Sequence, residues 1–186
     1  NDKNNNHHIS IGISLGAIQK SVDMNKLTFG DQFTPYNGGG FDNGLPNNES
    51  TTTNSYVLFD SNAGLIYYYG KESSRLNPFI GVAFRHLNQA KESFFSQENR
   101  LPLHTWIHGG VKVNVNERIS FLPKGIYMYQ KSASEITTTV HMQYYIKKSD
   151  AYLIFGPTWR NKDAAIVEAG LKYGKFTYLI SYDINT

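Results

Sequence analysis

The chain has 186 residues, of which 40% are hydrophobic and 14% aromatic, so it can form one domain with a core, and this composition disfavours global disorder. Its formal charge of +3, without a run of Lys and Arg along one face, disfavours a nucleic-acid partner. It has no Cys, which excludes disulfides and thiolate metal sites, and no apolar stretch of about 18 residues, so no helical membrane span is predicted.

The N-terminal segment is polar through His8 and has neither an initiator Met nor the regions of a signal peptide. We therefore expect a trimmed chain whose localisation must be inferred from other features. The first predicted strand alternates Ile9, Ile11 and Ile13 with small residues. A second, short strand is predicted over residues 26–33.

Residues 34–55 are dense in Gly, Asn, Pro and Thr, which predicts a long loop. A loop of this length in a compact domain is either a functional surface loop or disordered. Several of its side chains could offer oxygen ligands to Ca²⁺, but they lack the spacing of an EF-hand. These residues are Asp42, Asn43, Asn47 and Glu49.

The next strand, over residues 57–69, ends in three consecutive tyrosines, and a strand over 78–85 follows it. A second long loop is predicted over 87–100. The 13 tyrosines of the chain fit the aromatic girdles of outer-membrane barrels, although ordinary sandwiches also favour Tyr.

Three strands are predicted between residues 101 and 146, because the side chains there change character at every step. In the first strand, Ile107, Val111 and Val113 occupy the odd positions and polar residues the even ones. In the third strand the phase is reversed, with Val140 and Met142 on even positions. Each of these strands has therefore one apolar face and one polar face, and a connecting strand over 118–130 lies between tight turns.

Three more strands, over 151–160, 164–173 and 176–184, are joined by very short turns. The chain thus has about ten strands in an antiparallel up-and-down meander. Both long loops fall in one alternate set of connections, while the other set stays short, as in outer-membrane barrels. The strands also have the length of tilted membrane strands. The predicted fold class is all-β, a single domain over residues 1–186 that forms most of a transmembrane β-barrel of the outer membrane.

No catalytic set, cofactor site or metal site is predicted from residue spacing. His104 and His108 are separated by about 13 Å along a strand, which is too far for a shared metal. The bulky polar face favours a wet barrel lumen, because a soluble barrel would need its apolar face inside. The residues predicted to face the lumen are His104, Trp106, His108, Lys112, Glu135, His141 and Gln143.

Four short motifs follow one another along the chain. Arg-His-Leu-Asn-Gln-Ala at 85–90 precedes a loop with two adjacent Phe, and Leu-Pro-Leu-His at 101–104 opens the central strand. The other two are Ile-Gly-Ile-Ser-Leu-Gly at 11–16 and Ile-Ser-Tyr-Asp-Ile-Asn-Thr at 180–186. In this order, which covers nearly the whole chain, the motifs resemble those of the PorP/SprF-like outer-membrane proteins of the type IX secretion system, and the ending resembles a late strand of that family.

The resemblance also has departures, since the N-terminal Asn-Pro-Ala segment and the last strand of the family are absent. The chain therefore resembles the C-terminal two thirds of a longer protein, and we expect that its strands alone do not close a barrel.

Family resemblance implies a non-enzymatic barrel in the outer membrane of a Gram-negative bacterium of the Bacteroidota type. It implies work with secretion or gliding machinery, and export or retention of a large surface protein such as an adhesin through the C-terminal domain of that cargo. Outer-membrane lipid is a further implied partner. A soluble barrel or sandwich that binds a small ligand or glycan, and a passive porin, remain as alternatives.

Partner binding is predicted in the two long loops, because loops carry recognition while strands are occupied by the sheet. Aromatic side chains in a polar setting are typical interface anchors. They could instead fold back into the barrel mouth as a plug. The predicted partner-binding residues are Phe94, Phe95, Phe41 and Asp42.

Overall fold

The computed structural model describes residues 6–23, 26–46, 54–71, 73–94 and 99–185. Its regular structure is almost entirely β, which confirms the predicted all-β fold. The strands are β1 (His7–Ser21), β2 (Phe33–Thr34), β3 (Gly40–Phe41), β4 (Ser55–Tyr69), β5 (Leu76–Arg85), β6 (His104–Asn114), β7 (Ile119–Gln130), β8 (Ala133–Ile146), β9 (Ala151–Arg160), β10 (Ala164–Tyr173) and β11 (Phe176–Asn185). Among the described residues, no helix combines the length and the apolar character needed to cross a membrane.

Nine of the strands form one sheet in the order β1, β4, β5 and onward to β11, so that neighbours in the chain are neighbours in the sheet. Every successive pair from β4 to β11 is antiparallel. The limits of β9 and β10 agree with the sequence prediction to the residue. The predicted meander is therefore confirmed, and the registers show which residues lie opposite one another on neighbouring strands.

The two faces of the sheet differ in exposure in the sense opposite to that of a soluble protein. In β8, Val140 is 45% exposed and Met142 37%, whereas His141 between them is only 4% exposed. Buried polar residues include Thr139 and Thr158, while large hydrophobic side chains are exposed along nearly every strand. A water-soluble sheet buries its apolar face. The period-two pattern is thus present, with the apolar face outermost.

The strand predicted over residues 26–33 is wrong. Gly30–Gln32 forms a 3₁₀ turn, and Phe33–Thr34 pairs with Gly40–Phe41 in a separate two-stranded ribbon. The reason is the side chain of Gln32, which is 4% exposed and hydrogen bonds to the backbone on both sides of the ribbon. A tertiary contact of this kind overrides a short alternation of apolar residues.

The chain divides into two compact units. We call Asn1–Ser14, Asn62–Leu87 and Pro102–Thr186 the strand unit, and Leu15–Ser61 with Asn88–Leu101 the loop unit. The strand unit holds most of the sheet, including β5 to β11. The loop unit holds most of both long connections. These connections stay in one alternate set even without the strand at 26–33, because β1 is followed in the sheet by β4.

Candidate functional site

A buried polar network links β8, β9 and β10 on the polar face of the strand unit. Nε2 of His141 donates to Oε2 of Glu168 at 2.7 Å, and the hydroxyl of Thr158 donates to the same carboxylate oxygen at 2.7 Å. The hydroxyls of Thr139 and Thr158 share a further hydrogen bond of 2.7 Å. Burying a carboxylate is costly unless hydrogen bonds or an opposite charge satisfy it. The network therefore holds three strands in one register and stabilises Glu168 in place.

Spacing along the sequence gives no indication that His141 and Glu168 meet. The two residues lie 27 positions apart in the chain, and the register of β8, β9 and β10 brings them together. Thr139, Thr158 and Glu168 were missed as members of the site. Their only signal in the sequence is their place on the polar side of each alternation.

A second cluster surrounds Arg160 at the end of β9. Its guanidinium lies 2.7 Å from Asp163 and 3.6 Å from Asp183 through Nη1, and Nε lies 3.8 Å from Glu135. The hydroxyl of Thr137 also donates to Glu135 at 3.1 Å. Glu135, which was predicted to face a lumen, thus belongs to an ion network that spans β8, β9 and β11. One arginine with several acidic neighbours ties the ends of these strands together.

The residues of β6 that are predicted to face the lumen lie on its polar side and contact side chains of β6 itself and of β5. Nε1 of Trp106 donates to Nε2 of His104 at 2.8 Å, and the guanidinium of Arg85 lies 5.8 Å from the Trp106 ring centroid. His108 instead packs beside Phe79, with ring centroids 6.1 Å apart, and over Gly81. A Cβ at Gly81 on the paired strand would meet the imidazole, so a larger residue there would force the His108 side chain to shift.

The remaining predicted polar residues, Lys112 and Gln143, are half-buried. The ammonium of Lys112 lies 5.8 Å from the ring centroid of Tyr152 on β9. Oε1 of Gln143 lies 3.5 Å from the hydroxyl of Ser120, its register partner on β7. Within the described part of the chain, no group of three or more His, Asp or Glu side chains could hold a metal ion.

The Asn- and Gly-rich connection of the loop unit is organised around Gln32. The backbone N–H of Phe29 donates to Oε1 of Gln32 at 3.1 Å, and Nε2 of Gln32 donates to the carbonyl of Leu45 at 3.0 Å. Phe33 and Phe41 pair across the ribbon, with their rings edge to face and centroids 5.4 Å apart. A single buried amide therefore holds an outward-facing aromatic pair.

Asp42, a predicted partner-binding residue, closes the turn after this ribbon. Its Oδ1 accepts a hydrogen bond of 2.9 Å from the backbone N–H of Gly44. This local use of the carboxylate is typical of an Asx turn. Of the other residues considered for calcium, Asn47 and Glu49 lie outside the described residues.

The second long connection is tied to β4. Nδ2 of Asn88 donates to the carbonyl of Phe59 at 2.6 Å, and Oδ1 accepts from the backbone N–H of Ser61 at 3.2 Å. Phe94 is half-buried and packs edge to face on Tyr56, with ring centroids 4.7 Å apart. Phe95, the other predicted aromatic anchor, lies outside the described residues.

Two further contacts hold the second connection. Lys20 and Glu92 form an ion pair, and the backbones of Lys91 and Arg100 pair in an isolated antiparallel β-bridge. Lys20 lies on β1, so the ion pair joins the connection to that strand. Asn88 is part of the 85–90 motif on which the family resemblance rests. The side-chain amide of Asn88 hydrogen bonds to the backbone of β4, which gives this part of the motif a structural role.

Comparison with known proteins gives one match. The family model described as type IX secretion system membrane protein PorP/SprF matches residues 2–186. No curated protein matches the chain, and no solved structure does. Because the match covers both units and all the strands described above, it does not rest on one motif. The chain belongs to the PorP/SprF family and is a membrane component of the type IX secretion system.

Proposed function

We propose that this protein is an outer-membrane β-barrel that exports a large secreted surface protein, or holds it at the cell surface, through its two long connections. The family is one of membrane proteins, which leaves no role for the soluble alternative. In the proposal the partners are the C-terminal domain of a type IX cargo, subunits of the secretion or gliding machinery, and outer-membrane lipid. The role is one of binding and passage, without catalysis.

The distribution of exposure supports a bilayer around the strand unit. Val140 and its apolar neighbours are exposed, whereas His141 and Thr139 are buried. Hydrocarbon solvates an apolar surface, and backbone groups are satisfied by the ladders from β4 to β11. The polar residues from His104 to Gln143 would then face a lumen, as their alternation predicts.

The observation that carries the anchoring role is the exposed aromatic cluster of the loop unit. Phe33 is 50% exposed, Tyr36 is 81% exposed and Phe41 is 54% exposed. Aromatic side chains with polar surroundings dominate the binding energy of many interfaces. Because Gln32 already fixes the ribbon, binding would cost less conformational entropy than ordering a free loop.

Phe94 and Asp42 would then act less directly than Phe41. The ring of Phe94 already packs on Tyr56, so it would support the second connection, with Phe95 beside it in the sequence. Asp42 would position Phe41 through its turn. A plug in the barrel mouth is the alternative use of the same aromatic residues.

The test replaces Phe33 and Phe41 together by Ala in cells whose only copy of the protein is the variant. We expect a secreted surface protein to appear in the medium, while the variant still assembles, as judged by its heat-modifiable migration. The matched control replaces Phe176 and Tyr178 on β11 by Ala. These two residues also form an exposed, stacked pair, with ring centroids 6.4 Å apart. This control should retain every surface protein.

Full retention in the Phe33 and Phe41 variant would contradict the anchoring role and favour a passive pore. Loss of the assembled barrel in that variant would instead favour the plug.

A further inference from the structure

A cleft of about 800 Å³ lies within the strand unit, at the end where its connections are short. We call it the basic cleft, and it is lined by residues that include Lys71, Arg75, Lys112, Arg118, Tyr145 and Tyr152. We propose that the basic cleft binds an acidic peptide segment of a protein partner. The inference concerns the strand unit alone and does not rest on the anchoring role of the loop unit.

The charge of the cleft is the first argument. Four cationic side chains line it, and Glu117 is the one carboxylate among its lining residues that the structure describes. Within the described residues, none of the four cations forms an ion pair. Like charges gathered in a cleft raise the local potential and attract anions. An acidic ligand would therefore bring opposite charge to these four side chains.

Part of this positive charge lies beside Tyr152. The ammonium groups of Lys112 and Lys172 lie 5.8 and 5.9 Å from the centroid of that ring. Cations are attracted to an aromatic face, but two ammonium groups beside one ring repel each other. A carboxylate placed near them would add favourable interactions with both.

The rim is held in a defined shape by asparagine side chains. Nδ2 of Asn114 donates to the carbonyl of Ser74 at 2.9 Å, and Oδ1 of Asn77 accepts from the backbone N–H of Lys71 at 2.9 Å. Oδ1 of Asn116 accepts from the backbone N–H of Arg118 at 2.8 Å. The turns that carry Lys71 and Arg118 are therefore preorganised, which lowers the entropic cost of binding.

The size and position of the cleft favour a peptide. Since a water molecule occupies about 30 Å³ of the liquid, the cleft is many times larger than a single phosphate or carboxylate group. Its walls carry Lys112, Asn114 and Ser120 of the polar face. A lipid would need its acyl chains on the opposite, apolar face.

The experiment measures binding of a hexaglutamate peptide with a neutral dye to the purified full chain in detergent micelles, by fluorescence anisotropy at low salt. Replacing Lys112 and Arg118 together by Gln should weaken binding by about tenfold or more, because both charges line the cleft. The matched control replaces Lys147 and Lys148 by Gln, which removes the same charge outside the lining. It should change affinity by less than about twofold, since exposed charges are screened.

Two further arms keep the result decisive. Exchanging the two charges, with Lys112→Arg and Arg118→Lys, should preserve binding, and a hexaglutamine peptide should not bind. Equal weakening in both Gln variants, or equal binding of hexaglutamine, would overturn the proposal. So would inorganic phosphate or anionic lipid micelles displacing the peptide at the same charge concentration, since the ligand would then be a simple anion or a lipid.

Discussion

The strand unit and the loop unit are stabilised by different means. In the strand unit, long hydrogen-bonded ladders, such as that between β7 and β8, join each strand to its neighbours. A change at one residue therefore affects the residues paired with it on the adjacent strands. In the loop unit, a few side chains, chiefly Gln32 and Asn88, hold two long connections. Damage to the sheet should therefore be felt throughout the barrel, whereas damage to Gln32 should stay local.

The two means of stabilisation also differ in how much sequence change they tolerate. Membrane strands must satisfy every backbone group, so they tolerate little variation. A connection fixed by one amide can change most of its sequence without loss of the sheet. Under the proposed function, the binding surface of the loop unit could therefore change without loss of the sheet.

The largest expected effect comes from Val140→Arg, which would test whether the apolar face of the strand unit meets lipid. Val140 lies in the middle of β8 and is exposed. A cation near the bilayer midplane destabilises a barrel by about 2–4 kcal/mol. Urea unfolding in lipid vesicles should show this loss. Gln143→Arg, on the polar face of the same strand, should cost much less, and equal losses would disprove the assignment of faces.

A smaller loss is expected for Gly156→Ala, which would test how closely β8 and β9 approach. An added Cβ would overlap the backbone carbonyl of Val140, so one strand must move. Overpacking of this kind costs about 1–3 kcal/mol. The same unfolding assay measures it, with Gly125→Ala as the control, since the nearest atom there is 3.7 Å from the new Cβ. If both variants lose the same free energy of unfolding, the close approach at Gly156 does not affect stability.

The smallest effect is expected for Gln32→Ala, which would test whether the loop unit opens independently. The change removes two hydrogen bonds, with Phe29 and Leu45, at a cost of about 1 kcal/mol each. Hydrogen exchange should become faster in the ribbon around Phe33 and stay unchanged in β6 to β8. Gln19→Ala, which loses a longer contact of 3.4 Å to Ser55, is the control. Faster exchange in both units would show that they unfold together.

The sequence predicts the strands best where alternation is long. β9 and β10 were located to the residue because Leu153, Phe155 and Val167 recur on one side over ten residues. The faces of β8 follow from the same regularity. A period of two needs several repeats to be distinguished from chance, and these strands supply them.

The side-chain partners could not be predicted in the same way. Glu168 meets His141 only through the register of two ladders, and register depends on turn geometry and packing along the whole strand. The strand predicted over 26–33 is wrong for a related reason. Its alternation is short, and Gln32 hydrogen bonds to a residue of the folded loop that is distant in the sequence. Phe94 was expected as an exposed anchor, and its contact with Tyr56 depends on a chain segment 38 residues away in the sequence.

The reversal of faces has a consequence for how this chain reaches its fold. A protein with His141 and Thr139 buried and Val140 exposed gains little from collapse in water, because collapse would favour the opposite arrangement. The free energy that selects the native state must then come from transfer of the apolar face into hydrocarbon. The same sequence therefore specifies its structure only where a bilayer, or a detergent micelle in its place, covers the apolar face.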